Sequence, residues 1–317
     1  MKIIGTGSAV PSLSVTNDML SEILDTSDEW IATRTGIKQR RIISNENLKE
    51  LATSAAQRAL INAEITPKDL DFIICSNVVN NFVTPSLSCI VQGEIDADCP
   101  CIDLNAACTG FIYALDIAES FIQTGRAETV LVICAEEPTR MVNWQERNTC
   151  VLFGDGAGAV VVTKGDAFKA FTLNTKSKVE PLYYQRKMED NPYVKNPDGD
   201  GQLVMNGKDV FKLAVSSSAS DIQKVLQKSG KTEDDISYFL LHQANIRILE
   251  FIRERLKQPK EKFPHNIEYY GNTSSASIPI LLDEMNHEGK LKQGDTLVFS
   301  AFGAGFTTGA CLLEWTK

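Results

Sequence analysis

Along the chain, apolar runs of strand length alternate with stretches whose apolar residues recur at helical spacing. Residues 2–5 read as a strand closed by a Gly5-Thr6-Gly7 turn. Thr26-Ser27-Asp28-Glu29 has capping-box spacing and opens a helix at Thr26 that carries Trp30, Arg34 and a basic tail, Lys38 to Arg41. Leu48, Leu51, Ala52, Ala55, Ala56, Ala59 and Leu60 share one helical face and predict a helix over about 47–64. Asp69 to Ser76 turns into a buried strand. A later helix carries Phe111, Ile112, Ala114, Leu115, Ile117, Ala118, Phe121 and Ile122. These cover most of its circumference, the mark of a helix buried in a core. The alternation predicts an α/β architecture with a largely parallel sheet.

The pattern then repeats. Thr66, Asp69, Leu70, Phe72 and Ile74 match Thr232, Asp235, Ile236, Tyr238 and Leu240 at a constant offset, 232 − 66 = 166. The same shift carries Leu131-Val132-Ile133-Cys134-Ala135 onto Leu297-Val298-Phe299-Ser300-Ala301, and Cys108 onto Ser274. Further on, Gly158 to Val162 resembles Gly309 to Leu313 at an offset of 151. The first half has therefore gained some fifteen residues, placed at about 140–152. The register predicts two similar α/β halves, 1–165 and 166–317, packed as a pseudo-dimer. At offset 166 Ser76 falls on His242, and the Cys108 turn falls on the loop of Asn272. All lie at the C-terminal ends of strands, where open α/β sheets place their ligand crevices.

Composition narrows the function. The net charge of −9 argues against nucleic acid as partner. Eight scattered cysteines without a paired CxxC spacing, and three distant histidines, do not make a metal site. Free thiols in apolar runs suit a reducing, cytoplasmic setting. No apolar run approaches the length of a membrane span. Gly154-Asp155-Gly156-Ala157-Gly158 continues into Ala159-Val160-Val161-Val162 as a strand, whereas a dinucleotide fingerprint must open a helix.

Cys108, in Asn105-Ala106-Ala107-Cys108-Thr109-Gly110-Phe111, stands at a strand-to-helix turn before the buried helix. Unpaired N–H groups and the positive end of the dipole there favour a thiolate nucleophile. Small Ala106, Ala107 and Gly110 leave room for a substrate to approach. Taken singly, the candidates have ordinary readings too: one more buried cysteine, a core histidine at 242, a turn asparagine after Gly271.

Together the motifs resemble the β-ketoacyl-(acyl carrier protein) synthase III family of thiolase-fold condensing enzymes. The resemblance rests on Ile4-Gly5-Thr6-Gly7, Asp25 to Ile31, Thr33 to Ile37, Ala106 to Phe111, Phe153 to Ala159, His242-Gln243-Ala244-Asn245, Gly271 to Ser277, and Phe302 to Phe306. It implies a layered αβαβα fold and a decarboxylative Claisen condensation of an acyl-coenzyme A with malonyl-acyl carrier protein. It puts the catalytic set on Cys108, His242 and Asn272, and an oxyanion hole on the backbone N–H groups of Cys108 and Ala304. Trp30, Arg34, Arg147, Gly207 and Asn245 would bind coenzyme A. Lys212, Arg247, Arg253, Arg255 and Lys257 form a cationic cluster suited to an acidic carrier protein.

The family implies a homodimer without resident cofactor, coenzyme A entering as substrate. Two places depart from its pattern. Thr84 stands where a bulky aromatic often closes the acyl pocket, and segment 176–200 is unusual. A specialised synthase-III-like acyltransferase, a secondary-metabolite ketosynthase and a non-catalytic partner subunit are the rival readings, the last disfavoured by the intact Cys/His/Asn set.

Overall fold

A computed structural model describes residues 1–187, 190, 192, 193 and 201–317. The first half supplies β1 (Lys2–Ala9), β2 (Leu13–Thr16), α1 (Asn17–Ser21), α2 (Asp28–Thr35), β3 (Gln39–Ile42), α3 (Leu48–Ala63) and β4 (Phe72–Ser76). It continues with α4 (Leu87–Glu94), β5 (Cys101–Leu104), α5 (Gly110–Gln123), β6 (Thr129–Glu136), α6 (Arg147–Cys150) and β7 (Gly156–Thr163). Five of these strands form a sheet in the order β1-β7-β6-β4-β5. The second half adds β8 (Phe168–Lys178), β9 (Leu182–Tyr184), β10 (Leu203–Met205), α7 (Gly207–Ser229) and β11 (Tyr238–Leu241). Then come α8 (Ile246–Leu256), α9 (Ile267–Tyr270), α10 (Ser277–His287), β12 (Thr296–Gly303) and β13 (Gly305–Glu314). Its sheet runs β11-β12-β13-β8.

Several expectations are corrected. The sheets are mixed rather than largely parallel: β4 pairs in parallel with β5 and β6, but β7 is antiparallel to β6 and β1. Only strands joined by a helical crossover run parallel; β12 and β13 are separated by Ala304 alone and must be antiparallel. The strand over 2–5 does not end at Gly5-Thr6-Gly7 but runs through to Ala9. Those glycines serve packing instead. A Cβ on Gly5 would lie 2.3 Å from the Ala59 carbonyl, and one on Gly7 2.4 Å from that of Ala55. The small face of α3 can then sit directly on β1.

The α2 cap is Ser27, one residue later than expected, its hydroxyl accepting from the Trp30 N–H. The basic tail is strand β3, and within it Arg40 is fully buried. Its guanidinium donates to the Val15 and Val151 carbonyls and to Asn17 Oδ1. Segment 176–200 is described in part; 188, 189, 191 and 194–200 lie outside the described residues.

The internal repeat holds down to single hydrogen bonds. Thr66 N–H and Oγ1 both donate to Asp69 Oδ2, and Thr232 repeats the pair with Asp235. The register is not gap-free, however. Ile73 faces Leu131 in the first sheet and Phe239 faces Val298 in the second, offsets of 166 and 167. A one-residue gap thus lies between β4 and β6. Positive φ at Ala107 and Ser274, and helix starts at Gly110 and Ser277, follow the 167 offset. The counterpart of Cys108 is therefore Ser275. The first-half insertion is the stretch 137–155 between β6 and β7.

One apolar cluster joins the halves. Phe111 of α5 packs on Phe299 of β12, with ring centroids 5.9 Å apart, among Ile74, Val132, Leu240 and Leu282. The helix expected to be buried over most of its circumference is α5, with Phe111, Ile112, Ala114, Leu115 and Ala118 inaccessible and Ile117 and Phe121 half-buried; Ser120 and Gln123 are exposed.

Candidate active site

Three loops from three parts of the chain meet at one cavity of about 930 Å³. Cys108 enters from the tight turn 107–109 that leads into α5. His242 follows directly on β11, and Asn272 lies on the loop between α9 and α10. All three line the cavity, with Ala304, Gly207 and Asn245.

Each is held by its own chemistry. Ala107 adopts φ +48°, which turns the chain so that Cys108 faces the cavity. Gly303 is pressed against that turn, since a Cβ there would lie 2.7 Å from the Cys108 nitrogen. The close approach brings Ala304 beside Cys108. The Asn272 loop is tied to the first-half insertion: Asn272 N–H donates to the Leu152 carbonyl, and Gly154 N–H to the Asn272 carbonyl. Two glycines allow this contact. A Cβ on Gly154 would lie 2.2 Å from the Tyr270 carbonyl, and Gly271 takes φ +64°.

Asn272 Oδ1 accepts from the Ser274 N–H at 2.8 Å, so its NH₂ is the end left for the cavity. His242 is buried and its ring stands edge-on to Phe302. Burial pushes its imidazole down to about 3, so the ring is neutral near pH 7. Ser277 Oγ lies 2.8 Å from Nδ1 and already accepts from the Gln243 N–H at 3.3 Å. Among the described residues Nδ1 is the one acceptor within hydrogen-bond reach of the Ser277 hydroxyl, so assigning the hydroxyl proton to Nδ1 satisfies it and leaves the ring proton on Nε2. His242 and Asn272 thus both offer donors.

The thiolate expected of Cys108 is corrected. Burial pushes the thiol up to about 12, and the Glu136 charge adds to this against a hydrogen bond from Ser274. Cys108 rests as a thiol, because among the described residues no cation stands beside it to offset desolvation. Ser274, Ser275, Ser277 and Glu136 are site residues that the sequence reading passed over in this role. Glu136 was visible as a carboxylate at the C-terminal end of the apolar run 131–135.

The remaining candidates lie outside this cavity. Arg34 and Arg147 place their guanidinium carbons 4.6 and 4.9 Å from the Trp30 ring centre, and Arg147 also bonds Asp25. Both guanidinia thus already lie over the indole on which the resemblance places an adenine. Lys212, Arg247, Arg255 and Lys257 are exposed on α7 and at α8, whereas Arg253 is neutralised by Glu250 and Glu254. Thr84 is exposed and off the cavity wall of its own chain; Phe82 and Val83 are on it.

Comparison with known proteins fits this geometry. Residues 102–179 match the model of 3-oxoacyl-[acyl-carrier-protein] synthase III, and residues 226–315 that of its C-terminal part. The chain is 46% identical to a β-ketoacyl-[acyl-carrier-protein] synthase III of Clostridium acetobutylicum over 100% of its length and 99% of the relative's. The crystal structure of 3-oxoacyl-[acyl-carrier-protein] synthase III from Aquifex aeolicus VF5 superposes with a TM-score of 0.93 at 45% identity, covering 99% of both chains. The priming β-ketosynthase of the R1128 polyketide pathway superposes at 0.94 with 34% identity, covering 100% of this chain and 96% of that one. The fold is the thiolase fold expected from the motifs, and the chain belongs to the 3-oxoacyl-[acyl-carrier-protein] synthase III family of condensing acyltransferases.

Proposed function

We propose that the chain condenses an acyl-coenzyme A primer with malonyl-acyl carrier protein to a 3-oxoacyl-acyl carrier protein, through an acyl-Cys108 intermediate, as the first step of fatty-acid synthesis. The supporting observation is the convergence of Cys108, His242 and Asn272 on one cavity. Cys108 takes the acyl group as a thioester. Nε2–H of His242 and the Asn272 amide then stabilise the enolate formed as carbon dioxide leaves the malonyl group. The enolate carbon attacks the acyl thioester, whose oxyanion is met by the N–H groups of Cys108 and Ala304. A decarboxylation driven this way calls on no resident cofactor.

Coenzyme A lies along Trp30, Arg34 and Arg147, with its pantetheine arm past Gly207 and Asn245. The carrier protein docks on Lys212, Arg247 and Arg255. The chain works as a cytoplasmic homodimer in which Thr84 caps the acyl pocket of the partner subunit. The likeness to the R1128 priming enzyme favours, as second reading, a primer ketosynthase of a specialised pathway. Mass spectrometry of the intact protein after incubation with a panel of acyl-coenzyme A thioesters tests the first step. An acyl mass is expected, and it should be lost in Cys108→Ser. Failure of every donor to add a mass sinks the proposal.

A further inference from the structure

Glu136 ends β6 with 2% of its surface exposed and lines the same cavity as Cys108. Among the described residues it has no cationic partner. Its Oε1 accepts from Ser275 Oγ at 2.6 Å and from Ser274 Oγ at 3.3 Å, and its Oε2 from the Val78 N–H at 3.2 Å. Ser274 Oγ also lies 3.5 Å from Cys108 Sγ. A serine hydroxyl has one proton and cannot donate both ways at once. When it donates to Glu136, its lone pairs face the thiol, giving the sequence S–H···O–H···⁻O. When Glu136 holds the proton, the whole sequence can run in reverse.

We propose that Ser274 and Glu136 form a proton relay for Cys108, which removes the thiol proton during acyl loading and returns it during condensation. The inference rests on the acyl-Cys108 reading above. In loading, the thiol proton moves to Ser274 and the Ser274 proton to Glu136, as the bond from Sγ to the acyl carbon forms. The bond from that carbon to the coenzyme A sulfur breaks, and coenzyme A leaves as a thiolate that takes a proton from water. In condensation, the enolate carbon bonds to the acyl carbon and the Sγ–carbon bond breaks. The released thiolate recovers its proton from Glu136 through Ser274. Ser274 touches the reacting atom and is catalytic; Glu136 acts through it and is the proton acceptor that positions it.

A purely electrostatic Glu136 makes the opposite prediction. Its charge holds the Cys108 thiol up, so removing it should make the cysteine more reactive. Among the described residues, the titratable groups shifted by the Glu136 charge are Cys134 on its own strand, Cys75 on β4 and Cys108 on the turn before α5. None of these is a cation that would reverse the sign.

The decisive experiment is the pH dependence of Cys108 alkylation by iodoacetamide in the full-length protein, which needs no acyl-coenzyme A. Burial pushes the Glu136 carboxyl up to about 7. The wild-type rate should therefore climb through about pH 7, where the carboxylate appears, and reach a plateau well below the ionisation of the thiol. Glu136→Gln should erase that step and slow alkylation at pH 8 by about 10²-fold, the usual worth of a general base. Ser274→Ala should do the same, and Glu136→Asp should keep the step at a lower plateau. Thermal unfolding reports whether each variant folds. A wild-type profile without a step near 7, or a Glu136→Gln rate equal to or above wild type, overturns the relay. Normal alkylation chemistry in a protein that no acyl-coenzyme A labels would overturn the substrate proposal instead.

Discussion

At the scale of single residues, the site divides its labour by environment. Desolvation acts on Cys108 and His242 in opposite senses, favouring the neutral form of both. For a nucleophile this is a handicap that a proton acceptor must relieve. For His242 in the proposed role of donor to an enolate it is an advantage, since the ring stays neutral over the working range. Cys108→Ser should lose acylation and condensation together. His242→Ala and Asn272→Ala should still acylate, but lose malonyl decarboxylation by about 10²–10³-fold each. The pH dependence follows from the sign of the shift. With its pKa pushed down to about 3, His242 is neutral above that value and charged only below it. The contribution of His242 to decarboxylation by the pre-acylated enzyme should therefore be flat from about pH 5 upward, apart from any step near 7 that Glu136 adds and that Glu136→Gln removes. A fall with a midpoint near 6.5, the ordinary imidazole value, would show that the ring is not desolvated.

Elements position these residues through close backbone contacts, and glycines mark where. The insertion 137–155 reaches across to the second half, where Leu152 and Gly154 hold the Asn272 loop. Gly154→Ala would drive a methyl to 2.2 Å from the Tyr270 carbonyl, a rigid backbone atom that can relieve the clash only by moving the loop. The expected cost is about 1–3 kcal/mol of stability, as for overpacking elsewhere. Because Asn272 moves and Cys108 does not, decarboxylation should fall more than acylation. Thermal unfolding and the two half-reactions, measured side by side, check this. Equal losses in both would mean that the loop does not position Asn272 independently of the nucleophile.

Across the whole molecule, a chain with net charge −9 presents Lys212, Arg247, Arg255 and Lys257 exposed and without an acidic partner among the described residues. Long-range attraction of an acidic partner should weaken as salt shortens the screening length from about 10 Å at 0.1 M toward about 3 Å at 1 M. Raising salt should therefore lower kcat/KM for malonyl-carrier protein more than for malonyl-coenzyme A. Arg247→Glu with Arg255→Glu should remove most of that difference. An equal salt response for both substrates would place the docking surface elsewhere.

Patterns set by local spacing were legible before any coordinates. The helix over 47–64, the buried α5, the repeated Thr–Asp caps and the two-half architecture depend on periodicity and capping, which a linear chain displays directly. The order and spacing of the motifs around Cys108, His242 and Asn272 were equally legible and pointed to the family. Strand direction was not, because whether β7 runs with or against β6 depends on the connection between them. Nor was the one-residue gap in the repeat, which only strand pairing measures. The role of the glycines in β1 and the burial of Arg40 depend on what lies across the fold. Above all, charge state is a property of surroundings: the chain shows Cys108 and Glu136 as a thiol and a carboxyl. Only packing decides that one is held up to about 12, the other to about 7, with a serine between them.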